Sequence, residues 1–397
     1  MSSKPSVPDV LRVLVIGGGT MGLAAAWALA RRGHAVELLE RFDHVHGMGS
    51  HGGHTRAFRH AYHEGADYVR LVRRADREWT QLEQRVGERL LVRCGLVEFG
   101  APDDPEFMAA NAALREHEVL HEQLDARAAM QRWPFVMPDH WQACLAPESG
   151  YLRVKACFDA FRREAEQAGA VLQHGRRVIG LELGAGTQVG ARLDDGTTRW
   201  ADRMVVAAGA WNPALLGSPI WGATPARVLR RVLAWTLPDA AQRERLRDIP
   251  VWAAFGEDGF FYGFPDGDEG ASGTKLACHN LRAGQHGWMD EAVDPETVDR
   301  SVHERDLAPL RGFIDRHFPA ARGEFVHASV CLYTHTRSGD FLIDRHPDDA
   351  RVVVAGGFSG HGFKFASAIG VGVAELLEQG ESACVLPRFR LGAHAQP

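Results

Sequence analysis

The chain has 397 residues, 45% hydrophobic and 24% charged, with a formal net charge of −6; that length suits two domains, or one large α/β unit with a second layer. No basic stripe dominates, which speaks against nucleic acid as a partner, and no apolar run approaches the ~20 residues of a membrane helix. The opening MSSKPSVPDV lacks the apolar stretch of a secretory signal, and the cysteines (Cys94, Cys144, Cys157, Cys278, Cys331 and Cys384) form no CxxC pair, so reduced thiols and a cytoplasmic setting are expected.

Residues 12–40 read RVLVIGGGTMGLAAAWALARRGHAVELLE. The β-branched run Val13 to Ile16 predicts a buried strand, and the stripe Leu23, Ala26, Trp27 and Ala30 predicts a helix ended by Gly33. A second strand, Ala35 to Leu39, closes on Glu40. Gly17, Gly19 and Gly22 fit the dinucleotide fingerprint G-x-G-x-x-G. The first glycine allows the tight turn, the second lets backbone approach a pyrophosphate, and the third lets helix and strand pack closely. Glu40 stands where a ribose-binding carboxylate is expected.

The next stretch, 44–68, is glycine-rich and then basic. His51 and His54, and His60 and His63, have i, i+3 spacings that could suit a metal, but the glycines make this a loop rather than a rigid face. No metal is therefore assigned; histidines bonded to backbone or cofactor are the plainer reading. Arg56 and Arg59 follow the loop, and guanidinium groups beside a dinucleotide turn suit anion recognition. Helical spacing predicts a helix from Tyr68 to Leu82 and others near 104–117, 123–132, 154–168 and 295–316. A hairpin is predicted from Val189–Leu193 and Thr197–Ala201 around Asp194-Asp195-Gly196. RMVVAAGAW (203–211) reads as a buried strand, and 224–283 is strand-rich. Lys275 lies on one of those strands, facing either solvent or a reacting centre. Cys331 sits in a short strand that ends in a polar turn, followed by strands at Phe341–Ile343 and 351–357. Residues 355–370, AGGFSGHGFKFASAIG, then place Gly356, Gly357, Gly360 and Gly362 before a helix, with Lys364 at its mouth. A glycine-rich loop feeding a helix N-terminus is again an anion or cofactor site.

The expected fold is α/β, or α+β in two domains, with a Rossmann-like unit built from both ends of the chain and interleaved with a strand-rich unit. No GxSxG, HExxH or P-loop supports other chemistries. From the fingerprint alone, an NAD-dependent dehydrogenase, a flavin dehydrogenase feeding a quinone, and a flavin-binding protein without turnover all stay open.

Together the fingerprint, GSHGGHTRAFRHAYHEG (49–65), YGFP (262–265), CLYT (331–334), FLIDRHP (341–347) and GFSGHGFKFAS (357–367) resemble the monomeric sarcosine oxidase / N-methyl-L-tryptophan oxidase family. These are FAD-dependent amine oxidases of the D-amino-acid-oxidase type. The resemblance implies FAD, with Gly17, Gly19, Gly22 and Glu40 on its ADP half and Gly357, Gly360 and His361 in the second glycine loop. It implies a covalent 8α-S-cysteinyl link at Cys331, and Arg59 and Lys364 on the substrate carboxylate. Arg56 would lie beside the flavin, Lys275 would promote reaction with O2, and Tyr262 and His279 would match further active-site positions. The implied reaction takes an N-methyl amino acid and O2 to the primary amino acid, formaldehyde and H2O2. Cyclic imino acids such as pipecolate, and glycated amino acids, suit the same frame. The implied FAD-binding domain comprises 1–85, 151–220 and 325–397, the substrate domain 86–150 and 221–324, and the protein would be a monomer. In this family the loop usually reads SHHGDTR; here it reads SHGGHTR, with Gly52 in place of a histidine and His54 in place of an aspartate. RRVLAWTLPD resembles the N-methyltryptophan side of the family.

Overall fold

A computed structural model describes residues 10–60, 62, 65–184, 186–217, 220, 226–267, 272–282 and 288–394; His63 lies outside them. In chain order the elements that build the site are β1 (Arg12–Ile16), α1 (Thr20–Ala30), β2 (Ala35–Leu39), β3 (Thr55–Phe58), α2 (Ala66–Val86), β4 (Leu96–Gly100), α3 (Val154–Gln167) and β5 (Val171–Gln173). They continue with β6 (Arg203–Val206), β7 (Arg227–Leu237), β8 (Val251–Gly256), β9 (Gly259–Gly263), β10 (Thr274–Leu281), α4 (Glu304–His317), β11 (Glu324–His335), β12 (Leu342–His346), β13 (Asp349–Gly356) and α5 (Ala366–Gln379).

Two large sheets carry the architecture. The first has six strands in the order β12-β13-β6-β1-β2-β5, parallel except for β12. Non-consecutive neighbours in this order show that the two ends of the chain meet in one sheet. Its central strands β1, β6 and β13 are covered on both faces and accordingly read as nearly continuous apolar runs. The second sheet has eight strands, running from β11 through β7, β10, β9 and β8 to β4 and then to two short strands, Gln142–Ala146 and Glu122–Asp125. β11, whose C-terminal part carries Cys331, pairs along its length with β7, and Cys331 stands opposite Arg231. A small sheet joins β3 to Gly150–Arg153 and to Leu91–Val92.

α1 departs from the one-sided stripe expected of it. Every residue from Met21 to Ala30 is buried, because the helix is wedged between the first sheet, α3 and α5. Small side chains permit that approach: a Cβ on Gly370 would lie 2.4 Å from the Ala24 carbonyl oxygen. Trp27 and Trp79 are fully buried against Phe161, and a large apolar side chain so placed contributes roughly 1.5–3 kcal/mol.

Two predicted helices are shorter than their periodicity. Residues 122–125 pair as a strand with 142–145, and the helix starts only at Ala126, where the Asp125 side chain accepts from the Ala128 N–H. Residues 295–303 are not helical either, because Asp294 and Asp299 turn their carboxylates onto the amides of Glu296 and Ser301. Such local side-chain bonds compete with helix, so α4 begins at Glu304 behind a His303–Asp306 capping box. RMVVAAGAW is strand only to Val206, and then a 3₁₀ turn at Gly209–Trp211. The 189–201 hairpin is present with Gly196 at φ +83°.

Candidate active site

A cavity of about 360 Å³ runs between the two large sheets. Of the residues to which the resemblance gives a role, all but Gly22 and Lys275 line it. The site is best followed from its dinucleotide end.

β1 delivers the chain into Gly17, at φ +99°, where a Cβ would lie 2.6 Å from the Ala207 carbonyl oxygen. Only glycine fits that turn. Gly22 is not in the cavity wall but beneath it: its Cβ would lie 1.7 Å from the Gly17 carbonyl oxygen. Gly19 is the N-cap of α1, with no side chain capping the helix. Its own Cβ would meet nothing nearer than the His51 ring at 3.8 Å. The first N–H groups of α1 and open space above Gly19 therefore form a cradle for an anion.

Glu40 is buried at the end of β2 and accepts from the Gly18 N–H at 2.5 Å and the Phe42 N–H at 2.7 Å. Burial by itself would raise its carboxyl, but His46 and these two amides outweigh it and hold the group below the usual range. His51 is also buried, packed on Phe158 and His46, and its Nε2 has no hydrogen-bond partner among the described residues. Burial and the neighbouring cations push it down to about 3, so the ring is neutral. A dry polar nitrogen beside the Gly19 turn is the kind of group a bound cofactor would satisfy. Together with the cradle and the glycines, it makes these residues a fit for FAD.

Among the described residues, the other histidines of this stretch scatter rather than converge. His44 bonds Asp159, His46 lies by Glu40, His54 packs edge-on to Trp235, and His60 sits between Ser149 and Asp76.

In the middle of the cavity, Cys331 is 1% exposed. Burial raises its thiol above the ordinary range even though Arg56, Arg231, Lys275 and Arg300 pull the other way. Tyr262 and Tyr333 flank it; burial pushes Tyr262 up to about 12 and Tyr333 well above its usual value. The His279 ring lies 5.5 Å from Tyr333, and its backbone carbonyl accepts from Arg231. Gly360, at φ +82°, leaves room for Tyr333: a Cβ there would be 2.2 Å from that ring. Gly357 has φ +63°, and both glycines turn the chain between β13 and α5 along the wall.

Arg56 binds its own loop. Its guanidinium donates to the carbonyls of Thr55, Ser50 and Gly52. Lys275 is 1% exposed, so the solvent-facing alternative does not hold. Its ammonium sits behind the cavity wall, donating to the Thr55 carbonyl at 2.8 Å and the Thr55 hydroxyl at 3.1 Å. The Phe264 ring lies 4.5 Å from it and Trp235 5.4 Å.

At the far end, Arg59 and Lys364 come together from segments about 300 residues apart, both under a tenth exposed. Arg59 is 3.5 Å from the Glu98 carboxylate on β4 and stacks on Tyr62; Lys364 donates to the Tyr62 hydroxyl at 2.8 Å. His361 uses its ring nitrogens on Tyr62 and the Gly339 carbonyl. Tyr62, Glu98, Tyr333 and Arg231 were not singled out in the sequence, and His51 was weighed there only for its spacing to His54. Tyr333 alone had a local signal, being two residues from Cys331 and so on the same strand face.

The FAD dependent oxidoreductase family, DAO, matches residues 12–376. Monomeric sarcosine oxidase of Bacillus sp. (strain B-0618) is 34% identical over 374 residues, 93% of each chain. N-methyl-L-tryptophan oxidase of Yersinia pestis (strain Pestoides F) is 33% identical over 387 residues, 95% of this chain and 99% of the relative. Among solved structures, NikD, an unusual amino acid oxidase essential for nikkomycin biosynthesis, superposes in its open form with a TM-score of 0.82 at 25% identity, covering 98% of this chain and 97% of that one. The deglycating fructosamine oxidase Amadoriase II of Aspergillus fumigatus, at 21% identity and a TM-score of 0.79 over 96% and 89% of the chains, shares the fold.

Proposed function

This chain belongs to the DAO family of FAD-dependent oxidoreductases, and from that premise we propose that it oxidises N-methyl amino acids, with O2 as electron acceptor. The observation that carries the reading is that one cavity is lined at once by the Gly17–Gly19 cradle, by Cys331 with Tyr262 and Tyr333, and by Arg59 and Lys364. Gly17, Gly19, Glu40 and His51 would hold the ADP half of FAD, and Cys331 would tether its isoalloxazine. FAD bound there would supply two-electron redox chemistry, coupling oxidation of the substrate C–N bond to an imine, which water hydrolyses, with reduction of O2 to H2O2.

The chain's own part is binding and electrostatics. Arg59 and Lys364 fix the substrate carboxylate, and the amine is thereby aimed at the middle of the cavity. The cationic surroundings disfavour a protonated amine, so the nitrogen is held in the neutral form that can be oxidised. Leu96, Val251 and Ala253 give the wall there an apolar character, which suits an apolar substituent. The Lys275 ammonium, bonded to the Thr55 oxygens, lies behind the Gly53–Thr55 loop, where it would stabilise negative charge developing on oxygen during its reduction. The sarcosine oxidase relatives carry the word monomeric in their name, and we read this chain as a monomer too.

The test is to precipitate the purified holoprotein with acid. Flavin staying in the pellet and mapping to the Cys331 peptide supports the tether, and peroxide formation is then measured across N-methyl, cyclic and glycated amino acids. Flavin released free removes the role of Cys331, and absence of peroxide with every N-methyl amino acid removes the substrate class.

A further inference from the structure

We propose that Tyr62 is a positioning residue that joins Arg59 and Lys364 into one carboxylate receptor and ties that receptor to His361. The inference rests on the reading of those two cations as the substrate-carboxylate site. It starts from hydrogen-bond directions. His361 Nε2 lies 3.0 Å from the Gly339 carbonyl oxygen. A carbonyl can only accept, so Nε2 carries a proton, and in the neutral imidazole Nδ1 is then an acceptor. The Tyr62 hydroxyl, 3.1 Å from Nδ1, therefore donates to it. Its oxygen then has lone-pair density for the Lys364 ammonium at 2.8 Å. The chain of donors runs one way, from Lys364 through Tyr62 and His361 to Gly339.

The ring does a second job. The Arg59 guanidinium carbon lies 4.4 Å from the Tyr62 ring centroid, a cation–π contact that gains strength where water is excluded. Tyr68 stacks on Tyr62 at 5.0 Å and 18°, and Phe365 meets it edge-on at 5.1 Å. Tyr68 in turn donates to Asp340, beside the Gly339 turn. With a relative exposure of 1%, the Tyr62 ring has no room to rotate. One side chain thus bridges the two cations, one over its face and one at its oxygen, while Glu98 stands 3.5 Å from Arg59 and the His361 carbonyl accepts from Lys364 at 3.3 Å. A preorganised pair binds an anion more tightly than two cations that must first be brought together.

Tyr62→Phe keeps the ring and removes the hydroxyl. In the holoenzyme, KM for an N-methyl amino acid is expected to rise about tenfold, the scale of one buried charge-assisted hydrogen bond, with kcat within about twofold. The Kd of a simple carboxylate inhibitor, read from the flavin absorbance, should rise in parallel while that of the matching neutral amide does not. A purely structural role for Tyr62 would weaken acid and amide alike, and that outcome, or an unchanged carboxylate Kd, overturns the proposal. If Tyr62→Phe folds poorly, His361→Gln is measured in its place. It leaves Tyr62 and both cations present and should raise the same Kd by a smaller factor; no change would break the link to His361. Arg59→Met and Lys364→Met separate the two levels. Carboxylate affinity unaffected in both would sink the anion-site reading itself, whereas loss there with no effect of Tyr62→Phe sinks only the role of Tyr62.

Discussion

Gly19 and Gly22 belong to one sequence fingerprint but do different physical work, and alanine at each should separate fold from cofactor binding. At Gly22 the added methyl carbon would lie 1.7 Å from the Gly17 carbonyl oxygen, with backbone rather than a side chain on the receiving side. Ordinary contact is about 3.3 Å, so strand and helix must part by more than 1 Å, and the cost should reach or exceed the roughly 1–3 kcal/mol typical of overpacking. At Gly19 the backbone has φ −69° and ψ −175°, which alanine adopts freely, and the nearest atom is 3.8 Å away. The apoprotein should therefore melt within a degree or two of the parent, or slightly higher from the lowered entropy of its unfolded chain. Yet that methyl would stand in front of the unpaired amides of α1, where a pyrophosphate must approach. The assay is a thermal melt of each apoprotein, followed by flavin content after incubation with FAD. Gly22→Ala should lose several degrees; Gly19→Ala should keep its Tm and lose most of its flavin. Full flavin in Gly19→Ala would refute the placement of the cofactor, and a parental melt for Gly22→Ala would refute the packing argument.

Cys331→Ala should release all flavin on acid treatment while still binding it in native buffer, since the glycine cradle and Glu40 are untouched; flavin still attached would move the tether to another residue. Lys275→Met should slow reoxidation of the reduced holoprotein by O2 about 10²–10³-fold, the scale of one lost charge-stabilising group, with reduction by substrate changed little. Equal slowing of both half-reactions would mean that the buried ammonium serves the fold. His51 is held by burial at about 3 in the folded chain, so the unfolded chain takes up its proton first, below the ordinary imidazole value near 6.5. The folded state accordingly has its full contribution above about pH 6.5 and loses it as pH falls toward 3, by about 1.4 kcal/mol per pH unit. His51→Gln should flatten that part of the apoprotein's stability profile, and identical acid slopes for the two proteins would contradict the buried, neutral assignment.

The ends of this site were legible in the sequence for physical reasons that the middle lacked. A βαβ turn is local: strand, glycine and helix are consecutive, so Gly17, Gly19, Gly22 and Glu40 could be placed by spacing alone. Lys275 could not, because strand alternation leaves two faces, and only the packing of Trp235 and Phe264 around the ammonium chooses between them. Glu98 was hidden for a similar reason. It stands in an apolar strand whose other face, with Val97 and Phe99, enters a core, and its partner Arg59 is 39 residues away by number (98 − 59). Tyr62 gave no signal of its own because its role exists only once α5 has brought Lys364 back beside β3. Residues 295–303 misled in the opposite direction, since their charge spacing is helical while Asp294 and Asp299 bond the backbone locally.

The loop that departs most from the family pattern shows why side-chain changes there need not move the site. Its shape is set by main-chain oxygens: Arg56 gathers the carbonyls of Ser50, Gly52 and Thr55, and Lys275 takes a second bond to Thr55. Carbonyls are the same whatever the residue, so replacing a histidine by Gly52 and an aspartate by His54 leaves this scaffold intact. What changes is the space the loop encloses. A Cβ on Gly52 would lie 3.2 Å from the Ser329 hydroxyl and 3.9 Å from Cys331 Cβ, so glycine opens room directly beside the cysteine. His54 instead turns away toward Trp235, which also packs near Lys275. The two substitutions therefore have different neighbours, Gly52 lying beside Cys331 and His54 against Trp235, whose ring also lies 5.4 Å from the Lys275 ammonium. On the proposed roles of Cys331 and Lys275, substitutions at Gly52 are expected to change the rate of flavin attachment, followed by acid-stable flavin over time, and substitutions at His54 the rate of reoxidation by O2, followed by stopped-flow absorbance.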